Sequence, residues 1–233
     1  MTQLPQQLAL KVQLRDDATL ENYFCAPSTQ TLVELLRGQL APGGEPIIYL
    51  YGPADVGKTH LLQAACHLVK ETPAVYLPLA QLSCYPAEEV MHGAESMGLV
   101  CLDDIDTVMG NEEWEVALFH FFNRAREQNC RLLVAGHSAP RELEVDLADL
   151  RSRLSWGIVY QLNALNDDER KSILSFRAAC RGLQLPSEVA SYIADRAPRS
   201  MGQLLDLLAT LDSVSLMEKR ALSIPFIKKV LNW

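Results

Sequence analysis

The chain has 233 residues and a mass of 26.0 kDa; 48% of its residues are hydrophobic and 21% charged, a balance that excludes a disordered chain and provides for a sizeable core. A domain commonly holds roughly 100–150 residues, so the length suits one large domain, or one domain and a small satellite. Charge is uneven: residues 1–160 carry a net −10 and residues 161–233 a net +2, which suggests two units and argues against DNA as the default partner, because tight sequence-independent DNA binding needs cations facing phosphates.

Residues 1–18 read as a tail. Met1–Leu14 has no apolar core and no Lys or Arg before Lys11, so it is not a secretory signal. Within it, Gln7-Leu8-Ala9-Leu10-Lys11-Val12 reads in two ways: as a tail with chance leucines, or as an extended peptide that docks Leu8 and Leu10 into a groove on another protein. Ser28 or Thr29 caps a helix running through about Gln39, and Ala41-Pro42-Gly43-Gly44 breaks it.

From Pro46 onward, strand-length apolar runs alternate with segments of helical period. Ile47–Tyr51, Ala74–Leu77, Leu99–Leu102, Arg131–Ala135 and Ile158–Leu162 read as five buried, parallel strands, being rich in Val, Ile, Leu and Tyr and mostly without strict alternation. Helices are expected at Lys58–Val69, Pro86–Gly93 and Glu113–Gln128, giving an α/β fold with helices on both faces of a parallel sheet. After Leu162 the strand signals stop. Asn166 or Asp167 caps a helix to about Arg181, Pro186 opens a second, Ser200 or a neighbour a third, and Pro225 sits in the first turn of a last one ending near Leu231. The longest apolar run, Ile47–Tyr51, is far shorter than the roughly 18 residues of a membrane helix, so a cytoplasmic protein is expected.

Gly52-Pro53-Ala54-Asp55-Val56-Gly57-Lys58-Thr59 matches G-x-x-x-x-G-K-[ST] and stands between the first strand and a helix, where the mechanism requires it. Gly52 and Gly57 let the backbone curl so that successive N–H groups and the helix amino terminus face a phosphate. In that setting Lys58 reaches the terminal phosphates and the Thr59 hydroxyl ligates Mg²⁺. The third strand ends in Asp103-Asp104, a Walker B arrangement: Asp103 is the candidate to hold Mg²⁺ through water, and Asp104 the candidate to polarise an attacking water. Asp106 is expected to be a solvated turn residue. His137, just past the fourth strand, is a candidate γ-phosphate sensor or simply a solvated loop histidine. Arg151 and Arg153 either pair with Asp146 and Asp149 on a helix surface or present an arginine finger to a neighbouring subunit.

The cysteines at 25, 66, 84, 101, 130 and 180 are never closer than 17 residues apart, form no C-x-x-C pair, and are expected to be buried reduced thiols.

These motifs together resemble the AAA+ ATPase module of the bacterial replication initiator DnaA, over nearly all of the chain from about Asp17 to Trp233. The residues that carry the resemblance are Thr19-Leu20-Glu21-Asn22-Tyr23-Phe24, the phosphate loop with His60-Leu61-Leu62-Gln63-Ala64, Asp103-Asp104-Ile105, Leu118-Phe119-His120-Phe121-Phe122-Asn123, and Leu150-Arg151-Ser152-Arg153-Leu154-Ser155-Trp156-Gly157. The resemblance implies an AAA+ P-loop fold: a nucleotide-binding domain over 19–163 with a five-stranded parallel sheet, then an all-α lid over 164–233. Tyr23 and Phe24 are implied to line an adenine pocket beside His60, and Arg153 to be the arginine finger.

The chain is expected to lack the initiator's carboxyl-terminal DNA-binding domain, and Gln7-Leu8-Ala9-Leu10-Lys11-Val12 is similar to peptides that bind the DNA polymerase sliding clamp. That layout implies a regulatory homologue of the initiator: tethered to the DNA-loaded clamp by Gln7, Leu8 and Leu10, it inserts Arg153 into the ATP site of DnaA and promotes hydrolysis there. DNA is then touched only indirectly or weakly, no membrane is involved, and AAA+ contacts allow a homo-oligomer. Gly202 stands where the family has its lid (sensor 2) arginine, with Arg199 three residues earlier on the same expected helix as a substitute, and His137 stands where the initiator has an acid. Without the lid arginine, ADP is favoured over ATP as the adenine nucleotide held, with Mg²⁺, at a weak or silent ATPase site. Alternatives are an autonomous AAA+ ATPase, since Lys58, Thr59, Asp103 and Asp104 are all present, and a helicase-loader-type adaptor.

Overall fold

The computed structural model describes residues 14–233, so the clamp-peptide candidates Gln7, Leu8 and Leu10 lie outside the described residues. The chain divides into two compact units: one holds the residues through Tyr23 together with Pro27–Asn163, the other Phe24–Ala26 and Ala164–Trp233.

In the first unit, strands β1 (Ile47–Tyr51), β2 (Ala74–Pro78), β3 (Leu99–Asp103), β4 (Arg131–Gly136) and β5 (Ile158–Gln161) form one sheet in the order β2-β3-β4-β1-β5, every pairing parallel. The side-chain period of two divides the strands between two cores. Tyr49, Leu77, Val100, Leu102 and Val134 face one side, packing with α3 (Leu79–Leu82), α4 (Ala87–Met91), α5 (Glu112–Glu127) and α6 (Ala148–Leu154). Ile48, Leu50, Leu99, Cys101, Leu133 and Ala135 face the other, against α1 (Gln30–Gln39) and α2 (Lys58–Leu68). Both faces are therefore covered, which is why β1, β3 and β4 carry near-continuous apolar sequence.

Three expectations need correction. β5 is an edge strand whose side chains are in turn half-buried and exposed, with Val159 41% exposed: Tyr160 packs on the core that holds α1 and α2, while the core on the opposite face does not reach Val159. The segment expected as one helix over Pro86–Gly93 is shorter: α3 precedes it, α4 ends at Met91, and Gly93 at φ +76 turns the chain into a 3-10 turn at Ala94–Ser96. Of the cysteines, 66, 101 and 130 are buried but 25, 84 and 180 are exposed; burial pushes the Cys130 thiol up to about 12.

The second unit contains α7 (Asp167–Cys180), α8 (Ser187–Arg196), α9 (Met201–Glu218) and α10 (Ile224–Leu231). Three of the starts follow from side-chain caps: Asn166 and Glu169 form a reciprocal capping box before α7, and the Ser200 and Ser223 hydroxyls accept from Gln203 N–H and Phe226 N–H before α9 and α10. Leu174, Ile193, Leu204, Leu208, Phe226 and Ile227 make its core, and Phe24 meets Phe176 edge-on with centroids 5.7 Å apart. Among the described residues no helix is long and apolar enough to cross a membrane.

Candidate functional site

β1 delivers the chain to Gly52, whose φ of +153° and position make a side chain there impossible without movement: a Cβ would lie 2.1 Å from the Leu162 carbonyl oxygen. The loop then passes Asp55 at φ +65° and reaches Gly57 at φ +92°, the residue that caps α2. A Cβ on Gly57 would stand 3.1 Å from Tyr23 Cε2, so Tyr23 lies against the loop. Val56 is buried in the α2-side core, while Pro53, Ala54, Asp55 and Thr59 are exposed.

Lys58 is 6% exposed, and its Nζ donates to the carbonyl oxygens of Gly52 at 2.6 Å and Pro53 at 2.7 Å. Burial lowers its pKa, opposed by the negative charges of Asp103, Asp104, Asp106 and Asp55. The lysine is thus a nearly buried cation folded back on its own loop. His60 Nε2 pairs with the Thr19 carbonyl at 2.8 Å, and its ring lies 5.6 Å from that of Tyr23.

Asp103, 1% exposed, ends β3 beside this loop; its Oδ2 accepts from the Tyr76 hydroxyl at 2.8 Å and its Oδ1 from Asp104 N–H at 3.1 Å. Asp104 takes the left-handed conformation at φ +54°. Its pKa is raised by burial and by the charge of Asp103, against which His137 and Lys58 act.

Asp106 is not a solvated turn residue. Its Oδ2 accepts from His137 N–H at 2.7 Å and its Oδ1 from Ser138 N–H at 3.3 Å, and its side chain is 22% exposed. β3 and β4 are neighbours, so the turn after one meets the loop after the other. Gly136 makes this approach possible, since a Cβ there would stand 2.8 Å from Asp106 Oδ2 and 2.4 Å from the Tyr49 hydroxyl oxygen. That hydroxyl donates to Ser138 O at 3.1 Å, so the loop carrying His137 is held from both sides.

Arg153 lies half-buried on α6. Its Nε donates to Asn123 Oδ1 on α5 at 3.1 Å, and its guanidinium carbon stands 4.7 Å from the centroid of the Trp156 ring and 5.9 Å from that of Phe119. Arg126 approaches Trp156 as well, at 4.1 Å. Neither Arg151 nor Arg153 pairs with Asp146 or Asp149; Arg151 Nη2 donates to the Val145 carbonyl. Asn123, Trp156, Tyr76 and Asp106 were not singled out as site residues from sequence, although Asn123 and Trp156 stand inside the runs that carry the DnaA resemblance.

In the second unit, Arg199 is exposed and precedes the Ser200 cap, so it is not on the helix that carries Gly202, contrary to the expectation; the Ser200 hydroxyl, accepting from Gln203 N–H, fixes the start of α9 after Arg199. The unit division also separates Tyr23, in the first unit, from Phe24, in the second.

Comparison with known proteins agrees in both units. Residues 167–231 match the family "Hda, lid domain" and residues 82–161 the "Bacterial DnaA ATPAse domain". An uncharacterized protein of Haemophilus influenzae is 41% identical over 229 residues, covering 97% of this chain and 98% of its own. Domain III of the Thermotoga maritima replication initiation protein DnaA superposes with a TM-score of 0.78 at 22% identity, over 95% of this chain and 98% of that one. AMPPCP-bound DnaA from Aquifex aeolicus does so with a TM-score of 0.73 at 25% identity, over 88% and 68%.

Proposed function

The chain belongs to the Hda-like homologues of the replication initiator DnaA, within the AAA+ fold, and on that premise we propose that it is a nucleotide-binding regulator of chromosome replication initiation that acts in trans. Held at the DNA-loaded sliding clamp by Gln7, Leu8 and Leu10, it offers Arg153 to the ATP site of DnaA and promotes hydrolysis there. The observation that carries this reading is the seat of Arg153: a half-buried guanidinium oriented by Asn123 and Trp156, with no carboxylate partner among the described residues. A cation held in place but not neutralised suits a charge supplied to a neighbour's phosphoryl oxygens.

The chain's own site would take an adenine nucleotide, the class of ligand in the AMPPCP-bound relative, together with Mg²⁺. The loop residues Gly52 to Gly57 and the start of α2 offer backbone N–H groups to phosphates. Lys58 would exchange the Gly52 and Pro53 carbonyls for terminal phosphate oxygens, and Tyr23 and His60 stand beside the loop where the base would lie. Thr59 and Asp103 would hold Mg²⁺, which keeps most of its waters and needs few protein ligands. Bound there, Mg²⁺ would supply charge neutralisation at the phosphates, and Asp104 would orient the attacking water. With Gly202 in place of a lid arginine and Arg199 outside α9, ADP would be held in preference to ATP, and turnover by the chain itself would be slow.

The test is hydrolysis of DnaA-bound ATP in the presence of DNA-loaded clamp, comparing the intact protein with Gln7→Ala and Arg153→Ala. Loss of stimulation in both variants is the expected result. An intact protein that leaves DnaA-bound ATP untouched but hydrolyses ATP itself would overturn the reading in favour of an autonomous ATPase.

A further inference from the structure

The carboxylate of Asp103 is held from outside the phosphate loop. β2 pairs with β3 so that Tyr76 stands opposite Cys101, and the side-chain period of two turns Tyr76, Leu99, Cys101 and Asp103 toward one face of the sheet, the face that packs on α2. The Tyr76 hydroxyl therefore reaches Asp103, two residues further along β3, and donates to its Oδ2 at 2.8 Å. Both residues are buried, which keeps water from competing for the bond.

The direction of that bond follows from what stands behind the tyrosine. Gln63, a buried side chain on α2, accepts from Arg15 N–H through Oε1 at 3.0 Å, which turns its amide NH₂ to other partners. That group lies within hydrogen-bonding reach of the Tyr76 hydroxyl and acts on its oxygen as a donor. A hydroxyl has a single proton, and an ionised carboxylate only accepts, so Tyr76 gives its proton to Asp103. The chain runs one way, from Arg15 N–H to Gln63, from Gln63 to Tyr76 and from Tyr76 to Asp103, and each link polarises the next.

On its other oxygen, Asp103 Oδ1 accepts from Asp104 N–H at 3.1 Å. One donor on each oxygen fixes the rotation of the carboxylate and leaves about two of its roughly four lone-pair sites open. Of the four carboxylates whose charge acts on Lys58, Asp103 acts most strongly, so it lies against the phosphate loop. With the Thr59 hydroxyl in the first turn of α2 it offers hard oxygen donors, which fit Mg²⁺, an ion that tolerates little departure from octahedral geometry.

We propose that Tyr76 is a positioning residue for the metal: by fixing the carboxylate of Asp103 it determines how strongly Mg²⁺ joins a bound nucleotide. The inference rests on the nucleotide-binding reading above and deepens it by naming the group that orients its metal carboxylate. Tyr76 acts through Asp103 and not on the phosphates, and the Gln63 amide keeps its hydroxyl turned that way.

The experiment measures the ADP affinity of the full chain with saturating Mg²⁺ and with the metal removed by a chelator. It compares the intact protein with Tyr76→Phe, Gln63→Met, Asp103→Asn and the double variant of Tyr76→Phe with Asp103→Asn. Phenylalanine keeps the packed ring and removes only the hydroxyl. Groups that orient a metal-binding side chain are worth about 10–100-fold in metal affinity, so the factor by which Mg²⁺ tightens ADP binding should fall by about tenfold in Tyr76→Phe, with metal-free ADP affinity kept within about twofold. Once Asp103 is already asparagine, the same substitution should change that factor by less than about twofold, since residues that act through one another are non-additive. Gln63→Met leaves the hydroxyl in place but free to rotate, and should lower the factor by about threefold or more. Equal losses of ADP affinity with and without Mg²⁺, or the same loss in the Asp103→Asn background, would mean that Tyr76 only packs and would overturn the proposal. So would an unchanged factor in Tyr76→Phe or, should that variant fail to fold, in Gln63→Met. ADP binding by the intact protein that is indifferent to Mg²⁺ would overturn the proposal and leave the nucleotide reading standing. Failure of the intact protein to bind ADP at all would remove that reading and the proposal with it.

Discussion

Arg153 Nε donates to Asn123 Oδ1 across 3.1 Å, joining α6 to α5 at the point where the guanidinium also meets Trp156. A hydrogen bond to a charged group is worth about 1.5–3 kcal/mol. Asn123→Ala leaves the charge but frees the group to sample other rotamers. Stimulation of hydrolysis of DnaA-bound ATP should fall roughly tenfold, while nucleotide affinity of the variant's own site stays the same. A variant that loses nucleotide affinity in parallel would show that Asn123 supports the fold and not the arginine.

Gly52 is held at φ +153° with the Leu162 carbonyl 2.1 Å from where a Cβ would be. The obstacle is backbone of the chain leaving β5, which cannot rotate aside as a side chain can. Gly52→Ala should therefore cost about 3 kcal/mol or more, seen in thermal unfolding as a midpoint lower by about 6–12 °C. An unchanged midpoint would mean that the close approach relaxes at no cost.

The phosphate loop, the carboxylates at the end of β3 and the caps of the lid helices are legible in sequence because each is a contiguous signal. Gly52 to Thr59 is one run, and Asn166 with Glu169 forms its capping box within a single turn. What is not legible depends on which elements become neighbours. Asp106 and His137 are 31 residues apart and meet because β3 pairs with β4; Asn123 and Arg153 are 30 apart and meet because α5 packs on α6. β5 reads as buried as the other strands because its apolar composition does not reveal that the core on the α5 side stops short of it. A pointer to Asp106 was present in Gly136: a glycine closing a buried strand marks a close approach by something.

Asp104 is a carboxyl whose pKa is raised, first by burial and then by Asp103. A raised carboxyl is destabilising in the folded state when ionised, so the penalty is present at neutral pH and is relieved as pH falls through its folded value toward the ordinary aspartate value of about 3.9. Asn tolerates the left-handed conformation at φ +54° as Asp does. Asp104→Asn should raise the unfolding midpoint at pH 7 by roughly 1–3 °C, and the gain should shrink toward zero as pH approaches 4. A gain independent of pH would assign it to something other than the charge. ATP turnover, if the chain shows any, should be lost in the same variant.

Arg153→Lys separates charge from geometry. Both side chains are cations, but a lysine ammonium has no Nε to donate to Asn123 and no plane to lay against Trp156, 4.7 Å away. If the seat formed by Asn123 and Trp156 matters because it fixes a planar, multidentate donor for phosphoryl oxygens, lysine should behave almost as alanine does. An arginine finger contributes on the order of a thousandfold or more to hydrolysis, so the lysine variant should lose at least about a hundredfold in stimulation of DnaA-bound ATP hydrolysis. Clamp binding, measured on the same preparation, should be unaffected, because the proposed clamp contact lies at Gln7, Leu8 and Leu10 and not on α6. Retention of more than about a tenth of the stimulation would show that a positive charge on α6 is sufficient. Asn123 and Trp156 would then be packing partners of the arginine and not part of how it acts.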